Sequence, residues 1–196
     1  MPGLNDFDES ALELMREQVE KFKVSLTEEE MLNLLQIKYR WSTTAHIGGY
    51  PATKAPSVVL LDVFANKQMY FFDHDGYLDY DKWKKYYDLG FTMILSNVFD
   101  LTPQLRKLHE LVRNRMGASV NANFYFANGK NHTSFPPHTH FYPVVAKQIY
   151  GKGYWLIDNK KTTLKPQEAL YVLRNQYHSV PKCTGPRLSL TINLFP

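Results

Sequence analysis

Cysteine is nearly absent: the single Cys183 rules out an intramolecular disulfide and fits a reducing compartment. Long apolar runs are missing and the N-terminal residues are acidic, so neither a membrane span nor a signal peptide is expected, and the cytoplasm is the expected location. Charge of one sign is also scarce. The 23 Lys and Arg against 19 Asp and Glu leave +4, and no dense basic cluster argues for nucleic acid as a partner. Internal repeats, low-complexity segments and linkers are lacking, so residues 1–196 read as one domain. Within it, 1–56 form a helical support and 57–196 a β core with inserted helices. Aromatic residues are plentiful at 14%, as strands and ligand pockets require.

Leu12, Met15, Val19 and Phe22 recur at helical spacing within residues 10 to 23, which predicts an amphipathic helix. Thr27 and Glu30 make a capping-box pattern ahead of Met31, Leu32, Leu34, Leu35 and Ile37, which predicts a second. Ile47 to Pro56 reads as a loop and Ser57 to Phe64 as a buried strand, turned by Asn66-Lys67 into Gln68 to Phe72. Asp73-His74-Asp75-Gly76 resembles a metal cluster but reads better as a polar turn. Helices follow at Tyr80 to Leu89 and, after the Thr102-Pro103 cap, through Leu105, Leu108 and Val112 to Gly117. Short strands are predicted at Phe91 to Leu95, Val120 to Phe126, Gly151 to Ile157, Ala169 to Leu173 and Leu188 to Phe195.

The stretch Phe135 to Trp155 pairs strand-like sequence with a metal-ligand spacing, His138-Thr139-His140. Side chains two apart on a strand share a face, so both imidazoles can reach one point. A third ligand should come from a distant segment, and His178, between an apolar run and the last strand, is the candidate. Three neutral imidazoles with open positions suit Fe(II), Zn(II), Ni(II) or Cu(II). On the last strand Arg187, Ser189, Thr191 and Asn193 share one face and Leu188, Leu190, Ile192 and Leu194 the other. Asn121, Asn123 and Tyr125 do the same on an earlier strand. Those polar rows face either solvent or a barrel interior that holds a polar site.

Gly90 to Phe99, the helix after it, Asn121 to Phe126, Phe135-Pro-Pro-His138 and Gln148 to Trp155 together resemble the cupin-like JmjC oxygenases of the ribosomal-oxygenase type, over roughly residues 84 to 196. The resemblance implies a mainly β fold with flanking helices, a double-stranded β-helix (cupin or jelly-roll) behind an N-terminal helical segment. It further implies Fe(II), 2-oxoglutarate as cosubstrate, O2, and hydroxylation of an unactivated carbon. His138 and His178 match the two family histidines, and His140 stands where the family has aspartate. Asn123 and Tyr125 would flank the cosubstrate, Tyr125 with a catalytic role. Arg187-Leu188-Ser189 is similar to the Arg-x-Ser pair with which many 2-oxoglutarate oxygenases hold the distal carboxylate, so Arg187 and Ser189 are the expected clamp. In the JmjC relatives a basic residue does this from a position aligned here with Gly153, and the neighbouring Lys152 is the reserve.

The same histidine spacing, followed by Val144 and Gly151, also looks like the first motif of small cupins, with Val144 where a glutamate ligand often sits. Three rivals follow: a three-histidine cupin dioxygenase that needs no 2-oxoglutarate, a non-redox Zn(II) enzyme, and a binding module without catalysis. The ribosomal oxygenases continue into dimerisation and winged-helix segments that the sequence up to Pro196 does not contain. A small molecule, amino acid or peptide is therefore the expected substrate, and the assembly states open to the chain include a homodimer. Phe141, Tyr142, Trp155 and Tyr177 are the expected pocket walls.

Overall fold

The computed structural model describes residues 7–37, 58–62, 67–116, 119–130 and 135–195. Helix α1 (Glu9–Lys21) starts where the Asp8 carboxylate accepts the Ala11 N–H, and it buries Leu12, Met15 and Val19 against the sheet. Burial of each such side chain contributes ~1.5–3 kcal/mol. Helix α2 (Glu28–Leu35) has both arms of the capping box: Thr27 Oγ1 accepts from Glu30 N at 3.1 Å and Glu30 Oε2 from Thr27 N at 2.7 Å. It buries Met31 and Leu35 and ends there, so Ile37 lies beyond the helix and is 50% exposed.

Strands β1 (Val58–Asp62) and β2 (Lys67–Tyr70) pair antiparallel. The predicted loop from Ile47 to Pro56, the ends Ser57, Val63 and Phe64 of the predicted strand, and Asn66 lie outside the described residues. Asp73 does form a turn, its carboxylate accepting from the N–H groups of Asp75 and Tyr77. Helix α3 (Tyr80–Asp88), β3 (Thr92–Ser96), α4 (Pro103–Met116) and β4 (Ser119–Ala127) follow close to their predicted places. Thr102 Oγ1 accepts from Leu105 N and so caps α4.

The remaining strands are β5 (Phe135–His138), β6 (Val144–Tyr150), β7 (Gly153–Ile157), β8 (Lys160–Leu164), β9 (Ala169–Val172), β10 (His178–Lys182) and β11 (Arg187–Phe195). One sheet runs β2-β1-β3-β4-β11-β6-β9 and the other β5-β10-β7-β8, with every pairing antiparallel. From β4 onward the chain alternates between the sheets except at the β7–β8 hairpin. Facing sheets ordered 4-11-6-9 and 5-10-7-8 make a double-stranded β-helix, the cupin or jelly-roll architecture. The first sheet is extended past β4 by β3, β1 and β2.

This topology buries both faces of β6 and β11 in the first sheet. The outer face of that sheet packs Phe124, Phe126, Leu188, Leu190, Ile192 and Leu194 into one core with the helices. Between the sheets lies a smaller apolar cluster that includes Val144, Trp155, Val172 and Val180. Lys147 on β6 is buried on the helix side, and its Nζ donates to the Glu20 carbonyl of α1 at 3.0 Å and to the Gln167 carbonyl at 2.9 Å. The ammonium thus closes the C-terminal turn of α1 onto the sheet, where the helix dipole favours positive charge.

Candidate metal centre

Strands β5 and β10 pair antiparallel with His138 directly opposite His178. His140 lies just past the end of β5, and the alternation persists: His138 and His140 are partly buried while Thr139 between them is exposed. Ring centroids are separated by 4.8 Å (His138–His140), 4.4 Å (His138–His178) and 4.9 Å (His140–His178). One nitrogen from each ring lies within 4.8 Å of the others, a group that can hold a metal ion. Nitrogens bound at ~2.1 Å sit about 3–3.4 Å apart around a metal, so ring movements on the order of an ångström complete the site.

The protonation chemistry fits a metal. Burial, helped by the neighbouring His178 and His138, pulls His140 down to about 4, so it is neutral at neutral pH. His178 is lowered as well, chiefly by burial, with its bond to the Gln176 carbonyl opposing. That bond, Nδ1 to O at 2.9 Å, makes Nδ1 the protonated nitrogen and leaves Nε2 with its lone pair for a ligand role. His140 Nδ1 is buried with no hydrogen-bond partner, and the ring stacks on Tyr142 at 5.0 Å and 6°. Neutral imidazoles with an orphaned buried nitrogen match what a divalent metal needs.

The histidines open into a narrow cavity between the sheets, with a free volume of about 30 Å³. Arg187, Thr191 and Asn193 of β11 line it, so the polar row on that strand faces the barrel interior. Arg187 is 1% exposed, and neither Nε nor Nη2 has a hydrogen-bond partner. Burial pulls the guanidinium down from its ordinary value, while the Cys183 thiol and Tyr125 favour its charge. A buried cation with two unpaired nitrogens, on a residue that lines the cavity, is chemically suited to an anion, because leaving such donors unpaired is costly. Tyr125 on β4 also lines the cavity; burial, then Tyr142, pushes its hydroxyl up to about 12, against hydrogen bonds from Thr191 and Asn123 and the charge of Arg187.

The remaining predicted residues fall into two groups. Asn123 reaches the site through Tyr125 rather than lining the cavity, and its carbonyl accepts from Thr191 Oγ1 at 3.4 Å. Ser189 is buried beside Arg187 on β11, but its hydroxyl donates to Gln148 Oε1 at 2.8 Å and does not line the cavity. Lys152 is exposed at the β6–β7 turn and stands outside the cavity wall. The Gly153 position has no room for a basic side chain: a Cβ there would come within 2.6 Å of Gln148 Oε1 and 3.1 Å of Trp155 Nε1. Phe141 and Tyr177, expected as walls, are 67% and 57% exposed, lie outside the strands next to His140 and His178, and do not line the cavity. Trp155 does line the cavity, and Tyr142 packs on His140.

One residue escaped the sequence reading. Gln148 is fully buried, donating to the carbonyls of Tyr150 and Leu188 at 2.6 and 3.2 Å, and its hydrogen bonds fix the space behind Gly153. Asn193 lines the cavity and donates from Nδ2 to Asn121 Oδ1 at 2.7 Å. The sequence alone places Asn193 on the polar row of β11 and leaves open whether that row meets solvent or the barrel interior.

No known family model matches the chain, and no curated protein does. Solved structures align with part of it. A cupin superfamily protein from Desulfitobacterium hafniense shows 19% identity over 39% of this chain and 68% of its own, at a TM-score of 0.36. A DMSP lyase from Ruegeria pomeroyi shows 15% identity over 39% of each chain, also at 0.36. A salicylate 1,2-dioxygenase from Pseudaminobacter salicylatoxidans shows 12% identity over 38% of this chain and 21% of its own, at 0.35. The barrel assignment rests on the strand order itself.

Proposed function

We propose that the protein is an iron(II)- and 2-oxoglutarate-dependent oxygenase of the JmjC-like type that hydroxylates a small molecule, amino acid or peptide. The observation that carries this reading is Arg187: a buried guanidinium with two unused donors, in the same cavity as three clustered histidines. His138, His140 and His178 would hold iron(II), which when bound supplies the redox chemistry by which O2 and 2-oxoglutarate yield succinate, CO2 and a hydroxylated substrate. Arg187 would grip the distal carboxylate through Nε and Nη2, orienting the cosubstrate along the cavity. Tyr125, held near Thr191, Asn123 and Arg187, keeps its proton at neutral pH and can donate to the same ligand. Trp155 and Val180 line the apolar flank of the cavity and would limit water beside a bound metal.

A second reading has its own support. A third imidazole at His140 carries no charge to offset that of the metal, as in three-histidine dioxygenases that bind an organic substrate directly and leave 2-oxoglutarate unused. Supplying Fe(II), O2 and 2-oxoglutarate, with blocked amino acids as trial substrates, separates the two. Formation of succinate that depends on Arg187 supports the proposal; oxidation of an organic substrate without succinate favours the second reading.

A further inference from the structure

The single cysteine of the chain sits beside the guanidinium in the cavity wall. Cys183 follows β10 in the turn that leads to Arg187, and its Sγ donates to the Gly185 carbonyl at 3.0 Å. The same thiol hydrogen-bonds with the Arg187 side chain, a contact that favours the cation. Both residues are 1% exposed. The turn itself lies at the surface, with Thr184 and Pro186 exposed, so a water-sized oxidant reaches Sγ through the local opening of one turn.

Arg187 lacks a counter-ion. Its Nε and Nη2 have no hydrogen-bond partner, and the cavity lining includes no carboxylate. Oxidation of Cys183 would supply the missing anion from within the chain. Hydrogen peroxide takes a thiol first to a sulfenic and then to a sulfinic acid. In each step an S–O bond forms, the O–O bond breaks and one water leaves, sulfur losing two electrons and peroxide gaining them. The sulfinic proton passes to solvent and leaves a sulfinate. Its two oxygens share a negative charge where the thiol had one weak donor, and a guanidinium pairs with such oxygens through charge-assisted bonds.

Resting on the function proposed above, we infer that Cys183 is an oxidation site whose sulfinate pairs with Arg187 and shuts 2-oxoglutarate out of its clamp. The modification has effects of opposite sign. Pairing the buried cation stabilises the ligand-free fold, whereas cosubstrate affinity falls because the donors are already used.

The test treats the metal-free full chain with hydrogen peroxide at a level that oxidises exposed methionines, and locates the added mass by peptide mapping. Cys183 is expected to gain two oxygens, ~32 Da. After peroxide is removed, the treated wild type should unfold at a higher temperature than before treatment. Once loaded with Fe(II) it should bind 2-oxoglutarate roughly tenfold or more weakly than untreated protein. Cys183→Ser should show neither change. In Arg187→Leu the same oxidation buries a sulfinate without its partner, so the unfolding temperature should fall. Cys183 left unoxidised, a stability change of the same sign in wild type and Arg187→Leu, or 2-oxoglutarate bound as tightly after oxidation as before overturns the inference. Opposed stability changes in a protein that never binds 2-oxoglutarate would instead count against the cosubstrate reading and leave the oxidation site standing.

Discussion

Replacing Arg187 with Met should act in opposite directions on stability and on ligand binding. Without an anion the wild-type chain buries a guanidinium whose Nε and Nη2 are unpaired. An apolar side chain of similar length removes that desolvation penalty, so the ligand-free variant should be more stable than wild type. With 2-oxoglutarate the order reverses. Two charge-assisted hydrogen bonds at ~1.5–3 kcal/mol each are lost, so affinity falls by about a hundredfold to ten-thousandfold. At a hundred times the wild-type Kd the ligand stabilises wild type by ~2.7 kcal/mol, and the variant gains almost nothing. Thermal unfolding of both metal-loaded proteins, with and without 2-oxoglutarate, reads both effects. A variant that is less stable without ligand and still shifts fully with 2-oxoglutarate would refute the role given to Arg187.

Burial pushes the Lys147 ammonium down to about 8, against the pull of Glu20; in an unfolded chain it titrates at ~10.4. Between those values the unfolded chain holds more protons, so folding stability rises with pH through this group, by on the order of 1–3 kcal/mol. Urea unfolding of Lys147→Met should lack that rise between pH 8 and ~10.4; identical pH profiles would remove Lys147 as its source. His138→Ala should abolish stoichiometric metal binding while far-UV circular dichroism and unfolding stay close to wild type, because His138 is only partly buried at the end of β5. Metal retained at one equivalent would displace the site from these histidines.

Much of this was legible in the sequence because it depends on local periodicity. The capping box at Thr27 and the stripe through Leu12, Met15 and Val19 are short-range patterns, and both helices formed at the predicted places, each ending short of its last predicted apolar residue. The alternation on β11 located its two faces but left open whether the polar one met solvent; only the facing sheet turns Arg187, Thr191 and Asn193 inward. Strand β8 went unread because Lys160, Lys161, Thr162 and Thr163 are exposed at a sheet edge and carry no apolar alternation. Strand β10 contains Pro181 and shifts register against both neighbours, which breaks the period-two signal. Ile37 continues the apolar pattern of α2, yet the helix has already ended at Leu35. The exclusion of a basic clamp at Gly153 is tertiary: it depends on Gln148, held by carbonyls of Tyr150 and Leu188 that no spacing rule connects.

The central claim is that the three histidines and Arg187 serve one ligand set, a metal with 2-oxoglutarate bound across it. Anaerobic titration of 2-oxoglutarate into Fe(II)-loaded protein tests it most directly, through the metal-to-ligand charge-transfer absorption that bidentate chelation produces. The account predicts a saturable band at one equivalent that is absent in His138→Ala and needs far higher 2-oxoglutarate in Arg187→Met. Iron bound at one equivalent with no band at any 2-oxoglutarate concentration would contradict it.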